Sequence, residues 1–108
     1  MKPALAIAFL LAFSSASAAQ TCDQGKATKT AEGLLSIGFF RHIGTSSEGL
    51  RLEVMHDRWL SFPTSERLKY AQVMECAIAG PGKAVRAIFF ISNRTGQQLN
   101  RYSADRLQ

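Results

Sequence analysis

Downstream of residue 22 the spacing of apolar residues switches between two periods. From Asp23 to about Ile37, the residues Ala27, Ala31, Leu34, Leu35 and Gly38 recur at helical spacing on one side, with Lys26, Lys29 and Glu32 opposite. This predicts an amphipathic helix capped by Asp23 and stopped at Gly38. Phe39 to Ile43, rich in aromatic and β-branched residues, reads as a short strand, and Gly44 to Gly49 as a turn. Leu50 to Asp57 then alternates strictly, Leu50, Leu52 and Val54 facing one way and Arg51, Glu53 and Met55 the other. That period of two is the mark of a half-buried strand.

Pro63-Thr64-Ser65-Glu66 opens a second helix, with Thr64 as the expected N-cap and Glu66 near the positive end of the helix dipole. Its apolar stripe is Tyr70, Val73, Met74, Ala77 and Ile78, and Gly80-Pro81-Gly82 ends it. Trp59 to Phe62, between the second strand and this helix, is expected to plug the corner with its aromatic rings. Ala84 to Ser92 reads as a third strand, Asn93 to Gly96 as a turn, and Gln97 to Tyr102 as a weaker fourth strand. The order αββαββ predicts an α+β fold: a two-layer domain in which one antiparallel sheet carries both helices on one face.

The third strand is apolar on both sides: Val85, Ala87, Phe89 and Ile91 line one face, Ile88 and Phe90 the other. With both helices committed to one face, the second is expected to be an open surface for a partner. Alternation assigns Phe40, Arg51, Met55, Arg86, Ile88, Phe90 and Tyr102 to it, with Gln98 among them. Aromatic, Met and Arg residues are those enriched at interface cores, and large apolar patches rimmed by polar groups mark interaction sites.

The first residues of the chain follow a different pattern. Met1-Lys2 is positive, Ala4 to Phe13 is uninterruptedly apolar, and Ser14 to Ala19 is a run of small residues. Residues 1–18 are therefore read as a secretory signal peptide cleaved after Ala18 or Ala19, and residues 19–108 as a single small domain. The apolar run is too short to span a bilayer. Bacterial lipid-modification signals place a leucine upstream of the modified cysteine and a small residue immediately before it, whereas Ala19 and Thr21 stand at those positions before Cys22. No lipid anchor is expected. Export to the periplasm or beyond allows the two cysteines, Cys22 and Cys76, to pair as a disulfide. Closing a loop of that length stabilises a small fold by about 4 kcal/mol.

Charge narrows the partners. The chain has 13 Lys and Arg against 8 Asp and Glu, and losing Lys2 leaves 12 against 8. The basic residues are spread from Lys26 to Arg106, which argues against the focused patch of a nucleic-acid binder.

Catalytic signatures are absent. His42 and His56 are the only histidines, with no further ligand at zinc spacing. No serine lies in a Gly-x-Ser-x-Gly elbow, and no phosphate-binding glycine loop is present. His56 and Asp57, adjacent in sequence, are the one pairing that would serve a small hydrolase or a metal. Asn93-Arg94-Thr95 matches the glycosylation acceptor pattern.

The reading that follows is a small, non-catalytic, exported binding protein without metal or cofactor. Its partner would be a protein of the envelope or extracellular space, a second copy of the chain included. A cationic binder of anionic envelope polymers or nucleic acid is the alternative, and a small hydrolase or metal-dependent enzyme using His56 and Asp57 is the second.

Overall fold

The computed structural model describes residues 22–108, so the proposed leader lies outside the described residues. The chain is built as α1 (Gln24–Ser36), β1 (Phe40–Ser46), β2 (Gly49–Val54), α2 (His56–Ser61), α3 (Thr64–Ala79), β3 (Ile88–Ser92), β4 (Gln98–Ser103) and β5 (Arg106–Leu107). It is an α+β fold with a five-stranded sheet in the order β1-β2-β3-β4-β5.

Local chemistry explains the helix ends. The Asp23 carboxylate accepts from the Lys26 N–H, capping α1. At the other end Gly38 takes φ 78°, and the N–H groups of Gly38 and Phe39 return to the carbonyls of Leu35 and Leu34. These paired bonds form a Schellman stop, which favours a glycine in the left-handed conformation. α3 starts where expected, but Pro63 holds the N-cap position and Thr64 is the first helical residue. Gly80, at φ 87°, ends it.

Three elements depart from the expected pattern. β1 continues to Ser46, leaving only Ser47 and Glu48 as the hairpin turn, with a bulge at Ile43; pairing along β2 overrides the turn-like composition of Gly44 to Ser46. β2 stops at Val54, and the segment expected to extend it forms the short helix α2 instead. The Asn93 side chain accepts from the His56 N–H at 3.0 Å, and Trp59 sinks to zero exposure. β3 is confined to Ile88–Ser92.

The sheet is mostly antiparallel, but β2 and β3 run parallel. The reason is the length of α2 and α3 between them, since a helical crossover returns the chain to the side from which it left. Parallel pairing sets Leu50 beside Ile88 and Leu52 beside Phe90. Residues paired this way share a face, so Ile88 and Phe90 join Leu50 and Leu52 against the helices.

The core lies between this face and the helices. Phe40, Leu52, Val54, Ile88, Phe90 and Tyr102 from the sheet meet Ala31 of α1, Trp59 of α2, and Ala71 and Met74 of α3. Trp59 stacks on Phe90 with ring centroids 4.5 Å apart, and Phe39, Phe40, Phe62 and Tyr70 close around them. The corner plug is real. Its indole N–H donates to Asn100 Oδ1 at 2.9 Å, which satisfies the one polar atom that burial would strand.

The Cys22–Cys76 disulfide ties the head of α1 to α3, with Cα atoms 5.9 Å apart. Gln24 Nε2 donates to the Ala77 carbonyl alongside it. α1 meets α3 through the small buried residues Ala27 and Ala31; the bridge compensates for an interface with little apolar area. Among the described residues no helix is long and apolar enough to cross a membrane.

Candidate functional site

The expected partner face is not one face. Phe40, Ile88, Phe90 and Tyr102 are at most 1% exposed and belong to the core. They are removed from the candidate surface. Met55 is exposed at the start of α2, while Arg86, just before β3, donates to the Ser47 carbonyl. Arg51 and Gln98 do lie on the face away from the helices. The physical reason is phase: β3 is apolar on both sides, so its own alternation cannot say which side is inward, and only its pairing with β2 decides.

The outward face is therefore the one carrying Phe89 and Ile91. Strand parity and register place three residues in a row across it: Arg51 on β2, Phe89 on β3 and Arg101 on β4. At the usual strand spacing the two arginine backbones stand about 10 Å apart. A second row holds Arg41, Glu53, Ile91 and Gln98. Arg106 on β5 pairs with Ser103 and joins the same face.

Four arginines thus share this face with one carboxylate, Glu53. Glu53 is spent on Arg41, Nε to Oε1 at 3.0 Å with a second contact at 3.3 Å. This contact pushes the Arg41 guanidinium pKa up, through the hydrogen bond first and the charge second. Arg51, Arg101 and Arg106 have no ion pair among the described residues. All four lysines of the domain lie elsewhere: Lys26, Lys29 and Lys69 on the helices and Lys83 in the loop before β3. Phe89 is half-buried and Ile91 only 4% exposed. The result is a sheet face on which the half-buried Phe89 stands between Arg51 and Arg101, with Ile91 of the next row buried. Sequence spacing missed it because the basic residues come from four strands that only the sheet brings together.

The His56–Asp57 pair is not a dyad. Asp57 turns to Arg94, Oδ2 to Nη1 at 3.2 Å, and His56 Nδ1 lies 2.8 Å from Ser92 Oγ. Ser92 Oγ also accepts from the N–H groups of Arg94 and Thr95, both at 3.0 Å. With both lone pairs occupied, the hydroxyl donates its proton to His56 Nδ1, which leaves the ring proton on Nε2. Ser92 is 1% exposed, so it is a brace for the turn and the ring, and no substrate reaches it as a nucleophile. His42 contacts Thr45 at 2.8 Å, on the same strand and far in sequence from His56. No group of three His, Cys, Asp or Glu gathers to hold a metal among the described residues.

No family model matches the chain, and no curated protein or solved structure matches it.

The surface also holds two concavities. A groove of about 400 Å³ runs between α1 and α3 over Ala27, Val73 and the disulfide. Its carboxylates already have internal work: Asp23 caps α1, and Glu75 accepts from the Tyr102 hydroxyl, whose oxygen also lies 3.0 Å from Asp105. A more open crevice lies where β2 and β3 end, lined by Met55, His56, Arg58, Phe62, Asn93 and Arg94.

Proposed function

We propose that this is a non-catalytic binding protein whose outward sheet face docks on an acidic protein surface. The observation that carries the reading is the row Arg51, Phe89, Arg101, with Arg106 beside it and none of the three arginines ion-paired among the described residues.

Three features support a protein as the partner. The cations are all arginines, whose planar fork pairs two-to-two with a carboxylate. Arg51 and Arg101 flank an aromatic, Phe89, and aromatic and Arg residues are those enriched at interface centres. A polymer held by charge alone would need no such centre. A second copy of this chain is disfavoured on this face, since arginines would oppose arginines across the contact.

Export is part of the proposal: the leader pattern at residues 1–18 and the Cys22–Cys76 bridge both suit an oxidising compartment outside the cytosol. The partner then belongs to the envelope or the extracellular space.

Binding of an acidic polypeptide, poly-glutamate in the first instance, tests the reading against polyphosphate at rising salt. Poly-glutamate is expected to bind more tightly than polyphosphate, with affinity falling as salt is added. Arg51→Glu combined with Arg101→Glu should abolish it, while Lys26→Glu with Lys69→Glu on the helical side should not. Undiminished binding by the sheet-face variant, with its fold intact by circular dichroism, would refute the assignment. Preference for polyphosphate would instead favour an anionic envelope polymer.

A further inference from the structure

We infer that the crevice at the carboxyl ends of β2 and β3 binds a small molecule carrying an oxyanion, a carboxylate or phosphate, on an apolar body. This site is separate from the outward sheet face and uses different residues.

Its position follows from topology. β2 and β3 are the parallel pair, and their last residues, Val54 and Ser92, stand side by side. The chain leaving β2 turns through Met55 and His56 into α2, and the chain leaving β3 turns through Asn93 and Arg94. Two connections that diverge from parallel strand ends leave a crevice between them, the place where sheets with helical crossovers hold ligands. Here its volume is about 830 Å³.

The donors are aimed. Ser92 Oγ, itself held by two backbone N–H groups, takes His56 Nδ1 as its acceptor and so leaves Nε2–H as the free ring donor. A buried hydroxyl that braces a turn and fixes a half-exposed imidazole is the kind of support that pre-organises a binding group. The Asn93 carbonyl oxygen is fixed by the His56 N–H, which leaves its amide N–H₂ free to donate. Arg58 and Arg94 add two guanidinium groups, and Met55 and Phe62 supply the apolar wall.

The single carboxylate lining the crevice, Asp57, sits on Arg94 with the two side chains 82% and 59% exposed. An ion pair so open to water is worth little. Asp57 therefore holds Arg94 in place of a ligand and yields it to an incoming oxyanion.

The test is titration of the purified protein with phenyl phosphate, benzoate and inorganic phosphate, followed by the His56 ring resonances and by calorimetry. Phenyl phosphate or benzoate is expected to shift those resonances saturably, and whichever binds more tightly names the oxyanion. Asp57→Asn should tighten binding about two- to fivefold by releasing Arg94. Arg94→Gln should weaken it about tenfold or more, and Arg101→Gln on the sheet face should leave it unchanged. The inference is overturned if the His56 ring does not respond, if Asp57→Asn fails to tighten binding, or if Arg101→Gln weakens it as much as Arg94→Gln. Inorganic phosphate binding as well as phenyl phosphate would remove the apolar body from the assignment.

Discussion

The hydroxyl of Tyr102 donates to Glu75 Oε1 at 2.6 Å, with both residues shut away from water. The second Glu75 oxygen accepts from the Val85 N–H at 3.1 Å, and Asp105 approaches the same phenol at 3.0 Å. A buried carboxylate is thus held by hydrogen bonds, with no cation beside it among the described residues. The contact locks β4 to α3 and anchors the arm leading into β3. In the turn after β4, Ala104 and Asp105 adopt φ of 52° and 62°. These are left-handed conformations that cost a non-glycine residue free energy.

Tyr102→Phe is expected to destabilise the fold by about 1.5–3 kcal/mol, the range for a hydrogen bond to a charged group. Urea denaturation of the variant measures it. A loss below about 0.5 kcal/mol would mean that Glu75 finds another donor.

The same contact sets a pH dependence. Burial first, then the hydrogen bond and charge of Glu75, then those of Asp105, push the Tyr102 pKa well above its ordinary 10.0. The unfolded chain gives up this proton at lower pH than the folded one. Tyr102's contribution is therefore fully present below pH 10 and is lost as pH rises further. Urea midpoints between pH 8 and about 11 should fall more steeply in the native chain than in Tyr102→Phe, which retains Tyr70 as its internal control.

Gly49 opens β2 where the chain passes closest to β3. It takes φ 149°, and a Cβ built on it would run into the Ala87 carbonyl. That carbonyl accepts the Leu50 N–H at 2.9 Å, so relief would require breaking a bond that starts the parallel pairing. Gly49→Ala should destabilise by about 2 kcal/mol or more through overpacking and backbone strain, read as a drop in melting temperature. Gly33→Ala, with open space at its Cβ and a helical position, is the matched control and should not destabilise.

The two faces of β3 separate under substitution. Phe90→Ala, inside the aromatic cluster, should cost about 3–5 kcal/mol. Phe89→Ala, on the outward face, should cost about 1 kcal/mol and appear chiefly as lost partner binding. A larger cost for Phe89→Ala than for Phe90→Ala in thermal unfolding would put the sheet in the opposite phase, and equal costs would mean that both faces of β3 are covered.

Replacing both cysteines by serine should lower stability by about 4 kcal/mol, since the bridge closes a span of 54 residues. α1 should be the first element to lose protection in hydrogen exchange. Its buried contacts beyond the bridge rest on Ala27 and Ala31.

How much was legible in the chain differs by element. Periods and end signals locate α1 and α3, down to the Asp23 cap and the glycine stops, and alternation locates β2 as far as Val54, but the buried side of α3 is not the expected stripe, since Ile78 is exposed and Glu75 is buried. The pairing of Cys22 with Cys76 followed because no other cysteine exists. β3 carries no such information: with Ile88, Phe89, Phe90 and Ile91 all apolar, inward and outward phases look alike. The parallel register with β2 settled that phase, and with it the move of Ile88 and Phe90 into the core and of Phe89 to the surface. Arg51, Arg101 and Arg106 became one surface for the same reason, and His56 met Ser92 instead of Asp57 across 36 residues. Local spacing reports only the face that an element buries. Which elements meet, and which side chains then share a surface, is decided by non-local pairing and packing.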